Sequence, residues 1–324
     1  MRDAGGVSAI PDEVAGLARR QAGVLCRRQL RDLLSDDAIQ WRIASGRWRR
    51  IIPGVYATHA GEVTWERRAH AAVLYCGTDA ALALDAAGYL HGFVARRPQV
   101  ITVVVPHSRR VRRVPGLKVA RRRTLRSTTR KGFTLTTAVE TVLDCAASPL
   151  LTERDVICLV AEAVRVRAVT DEDLATGLAA RAQHPQRRVI ALAIGDVAEG
   201  AESGLEILAL RDVIRAHGLP EMTVQRPVDG GRLRRDLENE EFRVILELDG
   251  RVGHEGADRL RDLRRARQAS SSGRITLRAG WVDAATEPCA LAADLFGTYR
   301  TRGYRGVLLA CGPSCTAGGA AVAG

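Results

Sequence analysis

The residues best suited to chemistry are carboxylates and one histidine in the last third of the chain. Asp236 follows an arginine-rich stretch; eleven residues on comes Glu247-Leu248-Asp249-Gly250, and then His254. Two carboxylates on neighbouring strands can hold Mg²⁺ against a phosphate, the way a metal-dependent nuclease polarises the bond it cuts. Asp236 and Glu247 are therefore the candidate ligands for Mg²⁺ or Mn²⁺. Asp249, His254 and Glu206 complete the candidate catalytic set. Glu206 has a second explanation, because Ser203-Gly204-Leu205-Glu206 is the S-x-x-E pattern that caps a helix ahead of apolar residues.

The second chemistry is phosphate binding. The chain carries 49 Lys+Arg against 37 Asp+Glu, a net charge of +12. Residues 1–150 hold 25 basic and 12 acidic residues, 25 − 12 = +13, and residues 151–324 hold 24 and 25, a net of −1. The excess lies wholly in the first half, so a polyanion-binding face is expected there. The elements that must position it lie between residues 11 and 58. Pro11 and two acids open one helix, a second runs from Arg27 to Leu34, and Ser35 caps a third from Asp36 to Ser45 that Gly46 stops. Ile39 and Ile43, four apart, form the buried stripe of that third helix. Its opposite face carries Asp37, Trp41, Ala44 and Ser45, with Gln40 and Arg42 on the flanks and packing as the expected role of Trp41. Trp48 to Tyr56 then makes two short strands turned by Pro53-Gly54.

Helix, helix, turn, helix and basic hairpin is the order of a winged helix-turn-helix. Such a third helix enters the major groove, where Gln40 and Arg42 can read base edges. Arg47, Arg49 and Arg50 open the wing, placed for phosphates or the minor groove. Arg109 and Arg110, with Arg112, Arg113 and Arg121–Arg123, extend the phosphate track or form solvated basic loops.

Residues 64–150 read as an α+β unit: helices over Trp65–Cys76 and Asp79–Leu90, strands at Ile101–Pro106 and Gly116–Ala120, then a strand and helix from Thr134 to Ala147. Helices fill 151–199, broken at Val169-Thr170 and Gln183-His184-Pro185, with a boundary at Glu199-Gly200-Ala201. Residues 200–306 alternate helices and strands, and the small-residue stretch 307–324 is expected to be disordered.

Seven scattered cysteines lack a CxxC, and Cys311 and Cys315 have no histidine near them in sequence. No zinc site or disulfide framework is expected. No apolar run approaches a membrane span and no signal peptide opens the chain, so a cytoplasmic, membrane-free protein is expected. There is no phosphate-binding GxxxxGK[ST] loop, HExxH or GxSxG.

Two resemblances sharpen these expectations. Gly23-Val24-Leu25, then Gly46-Arg47-Trp48-Arg49-Arg50-Ile51-Ile52-Pro53-Gly54-Val55-Tyr56-Ala57, resembles the N-terminal winged helix of AbiEi-type antitoxins of type IV toxin–antitoxin systems. The segment through Gly132-Phe133-Thr134-Leu135-Thr136-Thr137-Ala138 and Leu143-Asp144-Cys145-Ala146 resembles the domain that follows in that family, and together they cover about half the chain. The resemblance implies a bacterial duplex-DNA-binding regulator that represses its own operon and counters a nucleotidyltransferase-type toxin.

Ser203/Glu206, Asp236, Glu247-Leu248-Asp249-Gly250, His254 and Asp262/Arg265 resemble the PD-(D/E)xK restriction-endonuclease fold, and within it the very-short-patch-repair endonucleases. That implies a Mg²⁺-dependent DNA endonuclease targeted by the winged helix, with His254 in acid/base work. Two departures stand against activity: Asp249 occupies the position of the family's lysine, and no lysine follows Lys131. The expectation is thus a multidomain α/β and α+β protein, with a winged helix-turn-helix (11–58), an α+β middle domain (64–150), a helical connector (151–199), a restriction-endonuclease-like α/β domain (200–306) and a disordered tail (307–324).

Overall fold

The computed structural model describes residues 10–198, 203–224, 237–249, 273–280 and 282–317. It is a mixed α/β, multidomain architecture with three antiparallel or mixed sheets. The chain divides into two compact units, 1–145 and 146–324. The helices expected between residues 151 and 199 lie within the second unit.

The first unit opens with α1 (Asp12–Arg20), β1 (Val24–Cys26), α2 (Arg27–Leu30), α3 (Asp36–Ala44), β2 (Arg49–Ile52) and β3 (Val55–Ala57). Each boundary has a local cause. Asp12 and Glu13 occupy the first turn of α1 and Arg19 and Arg20 its last, matching the helix dipole at both ends. The Ser35 hydroxyl accepts the Ala38 N–H at 3.2 Å and caps α3. Gly54 turns the hairpin at φ +72°, in the left-handed region that glycine enters without a Cβ clash. The three strands form one antiparallel sheet in the order β1-β3-β2. Val14, Leu25, Leu30, Ile39, Trp48 and Tyr56 close over each other as its core. Full burial of residues such as Leu25, Leu30 and Ile39 contributes about 2 kcal/mol each.

The rest of this unit comprises α4 (Trp65–Cys76), β4 (Ala81–Ala83), α5 (Leu84–His91), β5 (Ile101–Pro106), β6 (Leu117–Arg122), β7 (Ser127–Arg130), β8 (Phe133–Thr136) and α6 (Ala138–Ala146). Its mixed sheet runs β6-β5-β4-β8-β7. The helix expected from Asp79 starts later, because residues 81–83 pair with β5 as a strand and Leu84 turns the chain at φ +50°.

In the second unit, α7 (Glu153–Arg165), α8 (Asp171–Ala179) and α9 (Arg187–Ala198) stop and start where the sequence breaks predict. Then come α10 (Gly204–Leu208), which runs on as a π-helical segment over Ala209–Arg215, β9 (Thr223–Val224), β10 (Leu237–Asn239), β11 (Val244–Asp249), β12 (Ile275–Gly280) and α11 (Pro288–Thr301). The sheet order is β12-β11-β10-β9, with β11 and β12 parallel and the other pairs antiparallel. Leu205, Val213, Leu237, Leu246, Leu295 and Tyr299 lie in the core between sheet and helices.

The expected disordered tail is placed as far as residue 317. Leu308 packs on the core, the Leu309 N–H donates to the His217 carbonyl at 2.9 Å, and Ala317 is buried. Among the described residues, no helix is long and apolar enough to cross a membrane.

Candidate functional site

α3 buries Ile39 and turns its other side to solvent. Gln40 is exposed, and so are Asp37, Ala44 and Ser45. Trp41 is 39% exposed, and the Arg47 guanidinium lies 4.8 Å from the centre of its ring. The expected packing role belongs instead to Trp48, which is 3% exposed and lies 6.4 Å from Tyr56. Arg49 and Arg50 are both exposed. They lie on β2, an edge strand, next to a register shift between Arg50 and Ile52 that re-aims the strand's side chains.

Arg42 is a correction. It was expected at a base edge, yet it is 2% exposed. Its Nη1 donates to the Ala38 carbonyl at 2.9 Å, and its guanidinium lies 5.7 Å from the Trp48 ring centre. Burial, with Arg47 nearby, lowers its pKa. It packs the helix against the hairpin and does not face a ligand. The amphipathic pattern could not show this, because a long arginine stem packs like an apolar chain while its head finds a backbone acceptor.

Of the middle-unit arginines, Arg110 is exposed, while Arg109 is half-buried and paired with Asp79 at 3.6 Å. Arg122 is paired with Asp144 at 3.1 Å. The phosphate track expected from these runs is thus partly spent on internal ion pairs.

The acidic set lies in the second unit, and Asp236 and His254 fall outside the described residues. Glu206 is buried at 4% exposure on the first turn of α10. The Ser203 hydroxyl accepts the Glu206 N–H at 3.2 Å and donates to Glu206 Oε1 at 3.0 Å. The Ser203 half of the S-x-x-E cap is therefore formed, with the Glu206 carboxylate tied to the same hydroxyl. Glu247 lies on β11, and Asp249 is the last residue of that strand. Glu247 faces Arg278 of β12 and accepts from its Nε at 3.1 Å. The hard carboxylate oxygens of Glu247 suit Mg²⁺ or Mn²⁺, and Arg278 already neutralises part of its charge.

Sequence reasoning missed one cluster. Cys289, Cys311 and Cys315 converge on His217, with all four ligand atoms within 4.8 Å of one another. The expectation of scattered, unconnected cysteines is overturned for these three. The available signal was Cys311-Gly312-Pro313-Ser314-Cys315, a C-x₃-C step within the usual spacing of zinc ligands.

No protein-family model and no curated protein matches this chain. The crystal structure of the RV2827C protein from Mycobacterium tuberculosis is similar to it over 63% of this chain and 83% of that one, with 18% identity and a TM-score of 0.41.

Proposed function

We propose that the chain is a duplex-DNA-binding regulator that grips its site through a winged helix-turn-helix at residues 11–58. The observation that carries this reading is the exposed face formed by Gln40, Trp41 and Arg47 at α3 together with Arg49 and Arg50 on the hairpin. The element order α1-β1-α2-α3-β2-β3, with a β1-β3-β2 sheet, supports it. Gln40 would read a base edge, and Arg47, Arg49 and Arg50 would neutralise phosphates. In this reading the chain is an AbiEi-type antitoxin, and its protein partner is a nucleotidyltransferase-type toxin.

Fluorescence anisotropy of labelled duplex DNA across a salt series tests the reading. The log of the binding constant should fall linearly with the log of salt, by roughly 0.9 per phosphate neutralised. Absence of binding at low salt, or binding indifferent to salt, would remove it.

A second reading is a Mg²⁺- or Mn²⁺-dependent endonuclease delivered by the same module. Glu247 on β11, with Arg278 alongside, favours it. The arginine supplies a fixed positive charge that the missing lysine would otherwise bring to a phosphodiester. Nicking of supercoiled plasmid with either ion, lost in Asp236→Asn and Glu247→Gln, would establish this reading; intact plasmid would leave the regulator alone.

A further inference from the structure

His217 lies just beyond the π-helical segment, completely buried. Its Nδ1 is 3.0 Å from the Val213 carbonyl. A carbonyl only accepts, so Nδ1 carries the proton and Nε2 presents a lone pair. Cys315 Sγ lies 3.6 Å from that Nε2. Cys289, the second residue of α11, has its Sγ 3.5 Å from Cys311 Sγ and 3.8 Å from Cys315 Sγ. Zinc bonds of about 2.3 Å to sulfur and 2.0–2.1 Å to nitrogen, at tetrahedral angles, require S···S edges of about 3.8 Å and S···N edges of about 3.6 Å. Those three observed edges, 3.5, 3.8 and 3.6 Å, match such a tetrahedron to within about 0.3 Å, and all four ligand atoms lie within 4.8 Å of one another.

We propose that His217, Cys289, Cys311 and Cys315 form a four-coordinate structural Zn²⁺ site that fastens residues 304–317 to the core of the second unit. Three soft thiolates and an imidazole in tetrahedral array select zinc over Mg²⁺ or Mn²⁺. Binding displaces the protons of the ligating thiols to solvent and leaves the oxidation states of metal and sulfur unchanged. The Nδ1–H···O bond to Val213 is the outer-shell contact that fixes the ring. Exposed Cys311 gives the ion a route in. The site is independent of the nucleic-acid reading, since it uses none of the same residues.

Metal analysis of the full-length protein, purified under reducing conditions with no added zinc, should find about one zinc per chain. Replacement by Co²⁺ should give the intense thiolate-to-cobalt charge-transfer band and the visible bands of a tetrahedral centre. Cys311→Ser, at an exposed position, should weaken zinc affinity by at least about 100-fold, while Cys158→Ser should leave it unchanged. Absence of zinc together with absence of a cobalt spectrum overturns the proposal. So does metal retained undiminished in Cys311→Ser, or a disulfide among Cys289, Cys311 and Cys315 in the reduced preparation. Should Cys289→Ser or Cys315→Ser fail to fold, the wild-type cobalt spectrum still decides.

Discussion

The arginines of the N-terminal module and the carboxylates of the second unit are both charged groups at chemically suggestive spacings, and the two units use them differently. In the first, Arg47, Arg49 and Arg50 are held out in solvent by a small apolar core around Ile39 and Trp48. In the second, Glu206 is tied to the Ser203 hydroxyl and Glu247 to Arg278. The first arrangement places these arginines at the surface. The second has these two carboxylates already serving the fold, so any metal must compete with, or join, those contacts. Arg42, five residues from Arg47, makes the same contrast inside one module.

The largest effect should come from breaking the outward-facing set. Reversing Arg47, Arg49 and Arg50 together to Glu should cut duplex affinity about 10³-fold at low salt and flatten the salt slope by about three. Anisotropy titrations measure both, and unchanged binding would place the nucleic-acid face elsewhere.

The next effect concerns acid. His70 is stacked on Phe133 at 4.0 Å in the core of the first unit, and burial lowers its pKa to about 4. A histidine with a depressed native pKa binds fewer protons when folded. Its contribution is therefore intact above the unfolded value near 6.5 and is lost as pH falls towards 4, a total of about 3 kcal/mol. His91, lowered mainly by burial, acts in the same direction. Urea unfolding at pH 7.5 and pH 4.5 should reveal the loss, and His70→Gln should flatten most of it. An equally steep dependence in that variant would assign the loss to other groups.

Arg42→Ala should cost about 2 kcal/mol through lost packing and the lost Ala38 contact, with an unchanged salt slope for DNA. A reduced slope would return Arg42 to the phosphate-binding set and break the contrast with Arg47. The smallest effect should be Ser203→Ala, destabilising the second unit by about 1 kcal/mol through its lost cap. Thermal denaturation and amide exchange on the full chain would detect it, and no change would leave Glu206 without its structural explanation.

Much of the first unit was legible because its signals are local. Ser35 marks the start of α3, Thr64 accepts from the Arg67 N–H at the start of α4, and Pro53-Gly54 turns the hairpin. What escaped was non-local or short. Residues 81–83 are apolar and suit either helix or strand, and only pairing with β5 makes them β4. β7 is four exposed residues at a sheet edge, with no alternation to read.

The sequence by itself determined the asymmetry of charge, the capped helices and the residue types available for chemistry, because each depends on composition or on neighbours within about four positions. The tertiary structure decided which charged groups face outward. Arg42 and Arg47 are the same residue type at either end of one helix turn and a loop, yet one is buried against Trp48 and the other stacks on exposed Trp41. It also decided that His217 meets three cysteines lying 72 to 98 positions further along the chain. Such a meeting requires α11 and the C-terminal segment to pack beside the π-helical turn, and no local pattern encodes a contact made across a core.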